Sequence, residues 1–156
     1  MALYTYWLSK RGERAMPSRA DIDPGEFRAL LPHVLLVDVI EKGADVRYRL
    51  VGTELERELG RAVTGRLLGE LVSGAYLDYM RSLYRRVITE RVPVYSANSF
   101  DDGRTGFALI ADFKRTYRLM LPLSRDGETV DMVLCGQLFE AIRDRDEPEV
   151  LLVDRG

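Results

Sequence analysis

The residue types best suited to nucleophilic or metal chemistry occur singly in this chain. His33 is its sole histidine, Cys135 is its sole cysteine, and no Gly-x-Ser-x-Gly segment presents a nucleophilic serine. One histidine cannot build a multi-histidine metal site, and one cysteine cannot form a disulfide within the chain or a cysteine-based zinc site. These observations exclude serine and cysteine triads of the usual kind and predict neither a catalytic residue nor a metal ligand.

Two acid–base candidates remain. His33 stands between Pro32 and the first predicted strand, where a structural or edge position is the favoured interpretation. Asp38 lies within that strand with an uncertain facing. The alternative function is a small cone-shaped α+β enzyme of the isomerase or dehydratase type, which would need one of these groups inside a deep pocket.

A second arrangement could bind a small molecule without catalysis. Cys135 and Gln137 share one face of the last predicted strand, and a polar residue such as Gln137 needs a partner if it is buried. A free cysteine is usually a buried, inert residue, so contact with a ligand is the less common interpretation of Cys135. Tyr48 lies on the apolar side of its strand, and Met80 and Tyr84 could line a cavity beside a long helix. These five residues are the predicted ligand-binding set.

Arg47 and Arg49 share the polar side of their strand. We expect these two arginines to lie on an exposed face or to form surface ion pairs, because arginines in such positions are usually solvated. An anion site or a contact between two copies of the chain is the alternative.

A short amphipathic helix is predicted over Leu3 to Arg11. Tyr4, Trp7 and Leu8 share one of its faces, at spacings i, i+3 and i+4. Because so short a helix is marginal alone, this face must pack against the body of the domain or against a second copy of the chain. Trp7 is the residue expected to contribute most to that docking.

The remaining elements predict an α+β fold with one antiparallel sheet. Asp23 and Pro24 start a predicted helix, and Thr53 with Glu56 forms a predicted capping box for a second helix that ends at Gly60. A long helix is expected over Ala75 to Glu90. Alternating or β-branched runs predict strands over Val34–Glu41, Asp45–Val51, Pro93–Ser99, Arg115–Ser124 and Thr129–Glu140, with an optional edge strand over Val150–Val153.

This pattern divides the chain into three parts. Residues 1–22 hold the N-terminal helix and a connector, 23–140 the α+β domain, and 141–156 a charged tail. The structure of 101–114 stays open at this stage. Helices are expected to cover one face of the sheet, and the N-terminal helix could cover the other.

Composition places limits on partners. The 156-residue chain carries 23 Lys plus Arg against 25 Asp plus Glu, for a formal net charge of -2. A chain so balanced is not typical of direct nucleic-acid binders or polybasic membrane binders. With no apolar stretch of spanning length and no secretory-type N-terminus, we expect a cytoplasmic protein.

Several short motifs resemble the PAS superfamily, and more narrowly a family of small stand-alone bacterial PAS-like proteins once classed as of unknown function. The most specific motif is the run Met16-Pro-Ser-Arg-Ala-Asp-Ile-Asp-Pro24. Weaker matches are Tyr6-Trp7, Arg11-Gly12, Leu31-Pro32-His33, Tyr48-Arg-Leu-Val-Gly-Thr53, Thr64-Gly65-Arg66 and Leu121-Pro-Leu-Ser124. The resemblance covers about Tyr6 to Phe139.

The resemblance implies a single five-stranded antiparallel sheet with helices on one face and an N-terminal helix that often mediates dimerisation. It implies sensing or interaction rather than catalysis, with a homodimer, a small-molecule ligand and a protein signalling partner as expectations. A flavin is not supported, because the reactive cysteine of light-sensing members lies in a helix, whereas Cys135 lies in the last strand. Haem is not supported either, because haem-binding members generally use a histidine in the central helices and His33 precedes the sheet. The cofactor, if one binds, stays unknown.

Overall fold

An antiparallel sheet forms the centre of the structure, a computed structural model that describes residues 2–99, 114–141 and 149–152. Within these ranges the sheet has six strands in the order β2-β1-β5-β4-β3-β6. The strands are β1 (Val34–Ile40), β2 (Asp45–Val51), β3 (Val94–Ser99), β4 (Lys114–Leu123), β5 (Met132–Ala141) and β6 (Glu149–Leu152). The five strands expected from the sequence therefore form one antiparallel sheet, which confirms the predicted fold class.

The sixth strand lies at one edge of the sheet. It pairs with β3 in antiparallel register, with Val94 opposite Leu152 and Ala97 opposite Glu149. This is the optional edge strand, and it begins one residue before the predicted start. Residues 101–113, which include the ambiguous segment of the sequence, lie outside the described residues.

Helices lie on both sides of the sheet. They are α1 (Ala2–Arg11), α2 (Thr53–Leu59), α3 (Leu68–Leu71) and α4 (Gly74–Glu90). Helix α4 packs on β3 and β4, and α1 packs on β4. The buried side chains of α4 are Tyr76, Met80, Leu83, Tyr84 and Val87, as its 3.6-residue periodicity predicts.

The central strands are buried on two faces because helices cover both. In β4, Leu119 and Leu121 alternate with Arg118 and Met120, and all four side chains are buried. We call the side on which Arg118, Met120, Cys135 and Gln137 lie the α4 face, because Arg118 bonds to a residue of α4. The opposite side is the α1 face.

The helix predicted after Asp23 forms as a 3₁₀ segment, Pro24–His33. The Asp23 carboxylate caps it by accepting from the Gly25 amide at 2.8 Å. Phe27 then leaves helical geometry, with φ −134° and ψ 40°, and buries its ring. Phe27 therefore interrupts the helical geometry of the segment, and Pro32 near its end has no N–H to donate.

The predicted Thr53–Glu56 capping box is wrong. Gly52 is the N-cap of α2, and Thr53 already lies in the first turn. A Cβ atom at Gly52 would lie 2.3 Å from the carbonyl oxygens of Leu31 and Pro32, so the close approach of two backbone segments places the turn at the glycine. At the other end, Gly60 adopts φ 71° and ends the helix as predicted.

Candidate functional site

The structure places all five predicted ligand-binding residues on buried surface between the sheet and α4. Tyr48 lies in β2, Met80 and Tyr84 in α4, and Cys135 and Gln137 in β5. The pairing of β2 with β1 and of β1 with β5 brings Tyr48 and Cys135 to the same face of the sheet. We call this set the α4-face cluster.

Two members of the cluster touch each other. Tyr84 and Cys135 share a hydrogen bond between their side chains. Burial raises the pKa of the Cys135 thiol to about 12 and raises the pKa of Tyr48 and Tyr84 well above the usual phenol range. These groups are therefore neutral at physiological pH, and the surface they form carries no negative charge.

Arg118 was not among the predicted site residues. It lies in β4 beside Gln137 in the register of β4 with β5, and only 2% of its surface is exposed. Its Nη1 donates to Asn98 Oδ1 at 2.6 Å and its Nη2 donates to the Tyr76 hydroxyl at 2.8 Å. The guanidinium also lies over the Tyr76 ring, 6.0 Å from the centroid. The α4-face cluster therefore adjoins a buried polar group that consists of Arg118, Asn98 and Tyr76.

A sequence signal for Arg118 exists, but it is weak. The alternation that puts Tyr117, Leu119 and Leu121 on one face of β4 puts Arg118 on the other. A charged residue on the second face reads as solvent-exposed unless a helix is known to cover it. Only the packing of α4 over this face shows that the arginine is buried.

Helix α1 docks on the α1 face of its own sheet. Trp7 is 1% exposed, and its indole Nε1 donates to the Pro122 carbonyl at 2.9 Å. Leu3, which the sequence did not single out, is also buried, whereas Tyr4 and Leu8 are half-buried. Tyr4 stacks against Trp7 with ring centroids 6.4 Å apart. Of the two docking partners that the sequence allowed, this arrangement uses the body of the domain.

Neither acid–base candidate belongs to the α4-face cluster. His33 lines a groove of about 210 Å³ together with Leu3 and Leu138, and Gln137 of the cluster also lines this groove. Asp38 forms an ion pair with Arg49 at 3.0 Å between β1 and β2. This contact is the surface pairing that the sequence favoured for Arg49. The structure therefore does not bring His33 and Asp38 together in one pocket.

A larger apolar cavity of about 490 Å³ lies beside the Pro24–His33 segment. Its lining includes Phe27, Leu31, Leu36 and Leu50, with Arg19 among the polar residues at its boundary. None of the predicted ligand-binding residues lines it.

The described part of the chain contains no helix that is both long and apolar enough to cross a membrane. Together, the antiparallel sheet, the covering helix α4 and the N-terminal helix on the opposite face define a small α+β fold with helices on both faces of one sheet.

Comparison with known proteins identifies the family. Residues 1–138 match the family model described as PAS domain, so the chain belongs to the PAS domain family. PAS domains are sensory and signalling modules, generally without catalytic activity. No match was found among curated proteins.

Solved structures share the fold at low sequence identity. The chain is similar to a sensory box sensor histidine kinase from Vibrio cholerae, with a TM-score of 0.52 and 14% identity over 76% of this chain and 90% of that one. It is also similar to the PAS domain of BvgS from Bordetella pertussis, with a TM-score of 0.48 and 19% identity over 78% of this chain and 87% of that one. At 14% identity, the likeness to the Vibrio cholerae structure concerns the fold alone.

Proposed function

We propose that this PAS domain binds a small molecule between the α4 face of the sheet and helix α4, and that binding alters the docking of α1. The protein would act as a homodimer and pass the signal to a protein partner. Its membership of a sensory family supports the general role. We propose that Tyr48, Met80, Tyr84, Cys135 and Gln137 contact this ligand.

One observation carries this proposal. Cys135 and Gln137 lie on the α4 face, and Gly136 between them faces the opposite side, against α1. A Cβ atom at Gly136 would lie 3.0 Å from Leu3 Cδ2, so helix α1 approaches the backbone of β5 closely at this point. A shift of β5 caused by a ligand on one face therefore reaches α1 on the other within a single residue.

The direction of the response depends on differential affinity. A ligand shifts α1 only if it binds one arrangement of β5 and α1 better than the other. A factor of ten in that affinity ratio corresponds to about 1.4 kcal/mol, which shifts an evenly balanced equilibrium to about ten to one.

Native mass spectrometry of protein purified from its own host tests the binding step. We expect a stoichiometric added mass on the wild type that is reduced in Met80→Phe, because the larger ring fills space beside the cluster. Leu77→Phe, on the same helix but only partly buried, is the matched control and should retain the ligand. Repeated absence of any added mass would instead favour a scaffold that interacts through its surface alone.

Fluorescence tests the transmission step. Trp7 is the sole tryptophan of the chain and lies at the α1 interface, so its emission reports docking directly. Removal of the bound molecule should shift or quench this emission in the wild type. An unchanged spectrum with ligand bound and removed would refute transmission through α1.

We also propose that copies associate through the α1 face, where Tyr4, Trp7 and Leu8 lie. Leu138, which lines the groove beside α1, is 54% exposed, and burial between two copies would remove this apolar surface from water. Light scattering coupled to size-exclusion chromatography should give a dimer for the wild type and a monomer for Leu138→Arg. The control is Leu50→Arg on β2, because Leu50 is equally exposed at 53%. A monomeric wild type would refute the dimer.

We propose that the protein is cytoplasmic, as expected from the sequence. Fractionation of host cells followed by immunodetection tests this, and recovery in the periplasmic or membrane fraction would contradict it.

A further inference from the structure

The charge of Arg118 is buried, and the described residues supply no counter-ion for it. Throughout residues 2–99, 114–141 and 149–152, no carboxylate lies within ion-pair distance of its guanidinium. Its two bonded partners, Asn98 and Tyr76, are neutral. A buried charge of this kind is costly unless another group compensates it.

Two buried donors beside this charge also find no acceptor among the described residues. They are Arg118 Nε and Asn98 Nδ2. The orientation of the Asn98 amide is set by chemistry, because arginine can only donate and must therefore face the carbonyl oxygen of the amide. Asn98 Nδ2 then has no acceptor in the part of the chain that the structure describes, although the residue is only 1% exposed. Native proteins seldom leave such donors unsatisfied.

An acceptor that carries negative charge would satisfy these two donors and compensate the charge of Arg118. A water molecule satisfies donors but leaves the charge of Arg118 uncompensated. The neighbouring phenols and thiol cannot supply an anion, since burial raises the pKa of Tyr48, Tyr84 and Cys135. A carboxylate has two oxygen atoms in one plane. One can accept from the guanidinium of Arg118 and the other from the side-chain amide of Asn98.

The surroundings fit an organic acid better than an inorganic anion. Arg118 acts electrostatically on Tyr48, Tyr84 and Cys135, so it lies close to the α4-face cluster. Apolar and aromatic groups of that cluster adjoin the polar end formed by Arg118 and Asn98. Such a surface matches a molecule with an apolar body and one acidic group.

We infer that Arg118 and Asn98 bind the carboxylate of a small organic acid whose apolar part packs toward Tyr48, Met80, Tyr84 and Cys135. This inference rests on the proposed function, and it adds the chemical class of the ligand and the residues that recognise it. Asn98 is both an orienting partner of Arg118 and a second donor to the ligand.

Calorimetry and thermal unfolding with acetate, succinate and benzoate test the inference. Benzamide serves as the uncharged analogue of benzoate. Sodium chloride keeps the ionic strength the same in all samples. We expect at least one carboxylate to raise the Tm of the wild type, and benzamide to have no effect. Arg118→Met, which is similar in length but cannot donate, should weaken binding at least about tenfold. The control Arg49→Met removes an exposed arginine and should leave binding unchanged.

The unfolding temperature of Arg118→Met without ligand shows whether Arg118 serves ligand recognition or the stability of the fold. Arg118→Met removes a buried charge that is costly without a counter-ion, and this gain offsets the loss of the hydrogen bonds to Asn98 and Tyr76. Without carboxylate, Arg118→Met should therefore unfold close to the temperature of the wild type. A second measurement needs no folded variant, because the Arg118 Nε–H resonance of the wild type should move on addition of the binding carboxylate.

The outcomes distinguish this inference from the proposed function. A host-purified ligand without an acidic group, or carboxylate binding that survives in Arg118→Met, overturns the inference and leaves the sensory proposal intact. A second contrary result has two parts: Arg118→Met is much less stable than the wild type, and no carboxylate raises the Tm of the wild type. This result would assign Arg118 a structural role and overturn the inference. If the host-purified protein carries no ligand and none of the three carboxylates binds, both proposals fail.

Discussion

The docking of α1 depends on Trp7 more than on any other side chain of the helix. Trp7 is fully buried, and its indole N–H satisfies the buried carbonyl of Pro122 at 2.9 Å. Truncation of a buried tryptophan to alanine costs about 3–5 kcal/mol. Trp7→Phe keeps most of the apolar contact and loses the hydrogen bond, which costs about 1–3 kcal/mol when a buried carbonyl is left unpaired.

Urea and thermal unfolding followed by far-UV circular dichroism measure these losses, because the substitutions themselves remove the sole tryptophan signal. For a domain of this size, Trp7→Ala should lower the Tm by roughly 6–20 °C, and Trp7→Phe by less. Leu8→Ala is the control on the same helix. Since Leu8 is only half-buried, its truncation should cost about 1 kcal/mol.

Hydrogen exchange shows whether the loss is local. If α1 unfolds separately in Trp7→Ala, the amides of Ala2–Arg11 should lose protection while those of β4 and β5 keep it. A Trp7→Ala variant within about 1 kcal/mol of the wild type, with α1 still protected, would refute the reasoning that Trp7 anchors the helix.

Three further predictions concern other parts of the fold. Gly52→Ala should destabilise the protein by about 3 kcal/mol or more in urea unfolding, because its Cβ would meet two backbone carbonyl oxygens at 2.3 Å. Cys135, whose thiol pKa burial raises to about 12, should resist a thiol-specific reagent at pH 8 in the native protein and react fully in urea. Hydrogen bonds, chiefly from backbone amides, lower the pKa of Asp126 from 3.8 to about 2, so its stabilising effect is present above pH 3.8 and is lost as the pH falls toward 2. The Tm difference between wild type and Asp126→Asn should accordingly narrow over that interval.

Each of these predictions has a contrary result. A Gly52→Ala variant as stable as the wild type would show that the two backbone segments can separate without cost. Rapid stoichiometric labelling of Cys135 in the folded protein would mean that the strand opens readily. A Tm difference for Asp126→Asn that is constant from pH 6 to pH 2 would contradict the lowered carboxyl pKa.

The order of elements could be predicted because local pattern and burial agree along most of the chain. The hairpin of β1 and β2, the stripe of α4 and the last two long strands each carry a regular apolar repeat. Prediction was poorer where a long-range contact determines geometry. The backbone of Leu31 and Pro32 is far from Gly52 in sequence, so the N-cap of α2 could not be located from a local capping motif.

In the candidate site, too, local sequence pattern predicted some residues, whereas others depend on long-range packing. Periodicity in α4 and β5 was sufficient to group Met80 and Tyr84 with Cys135 and Gln137, and the structure brings them to one buried surface. Arg118 could not be recognised, because an alternating strand with one charged residue has the same pattern whether its second face meets water or a helix.

By itself, the sequence determined the element types, the antiparallel sheet and the family resemblance, since each follows from short-range periodicity or from motifs of a few residues. Only the tertiary structure decided that α1 packs on its own sheet through Trp7 and Leu3, and that Arg118 is enclosed under α4 with donors left over. The physical reason is that burial depends on what covers a face, and that covering is made by residues distant in the chain.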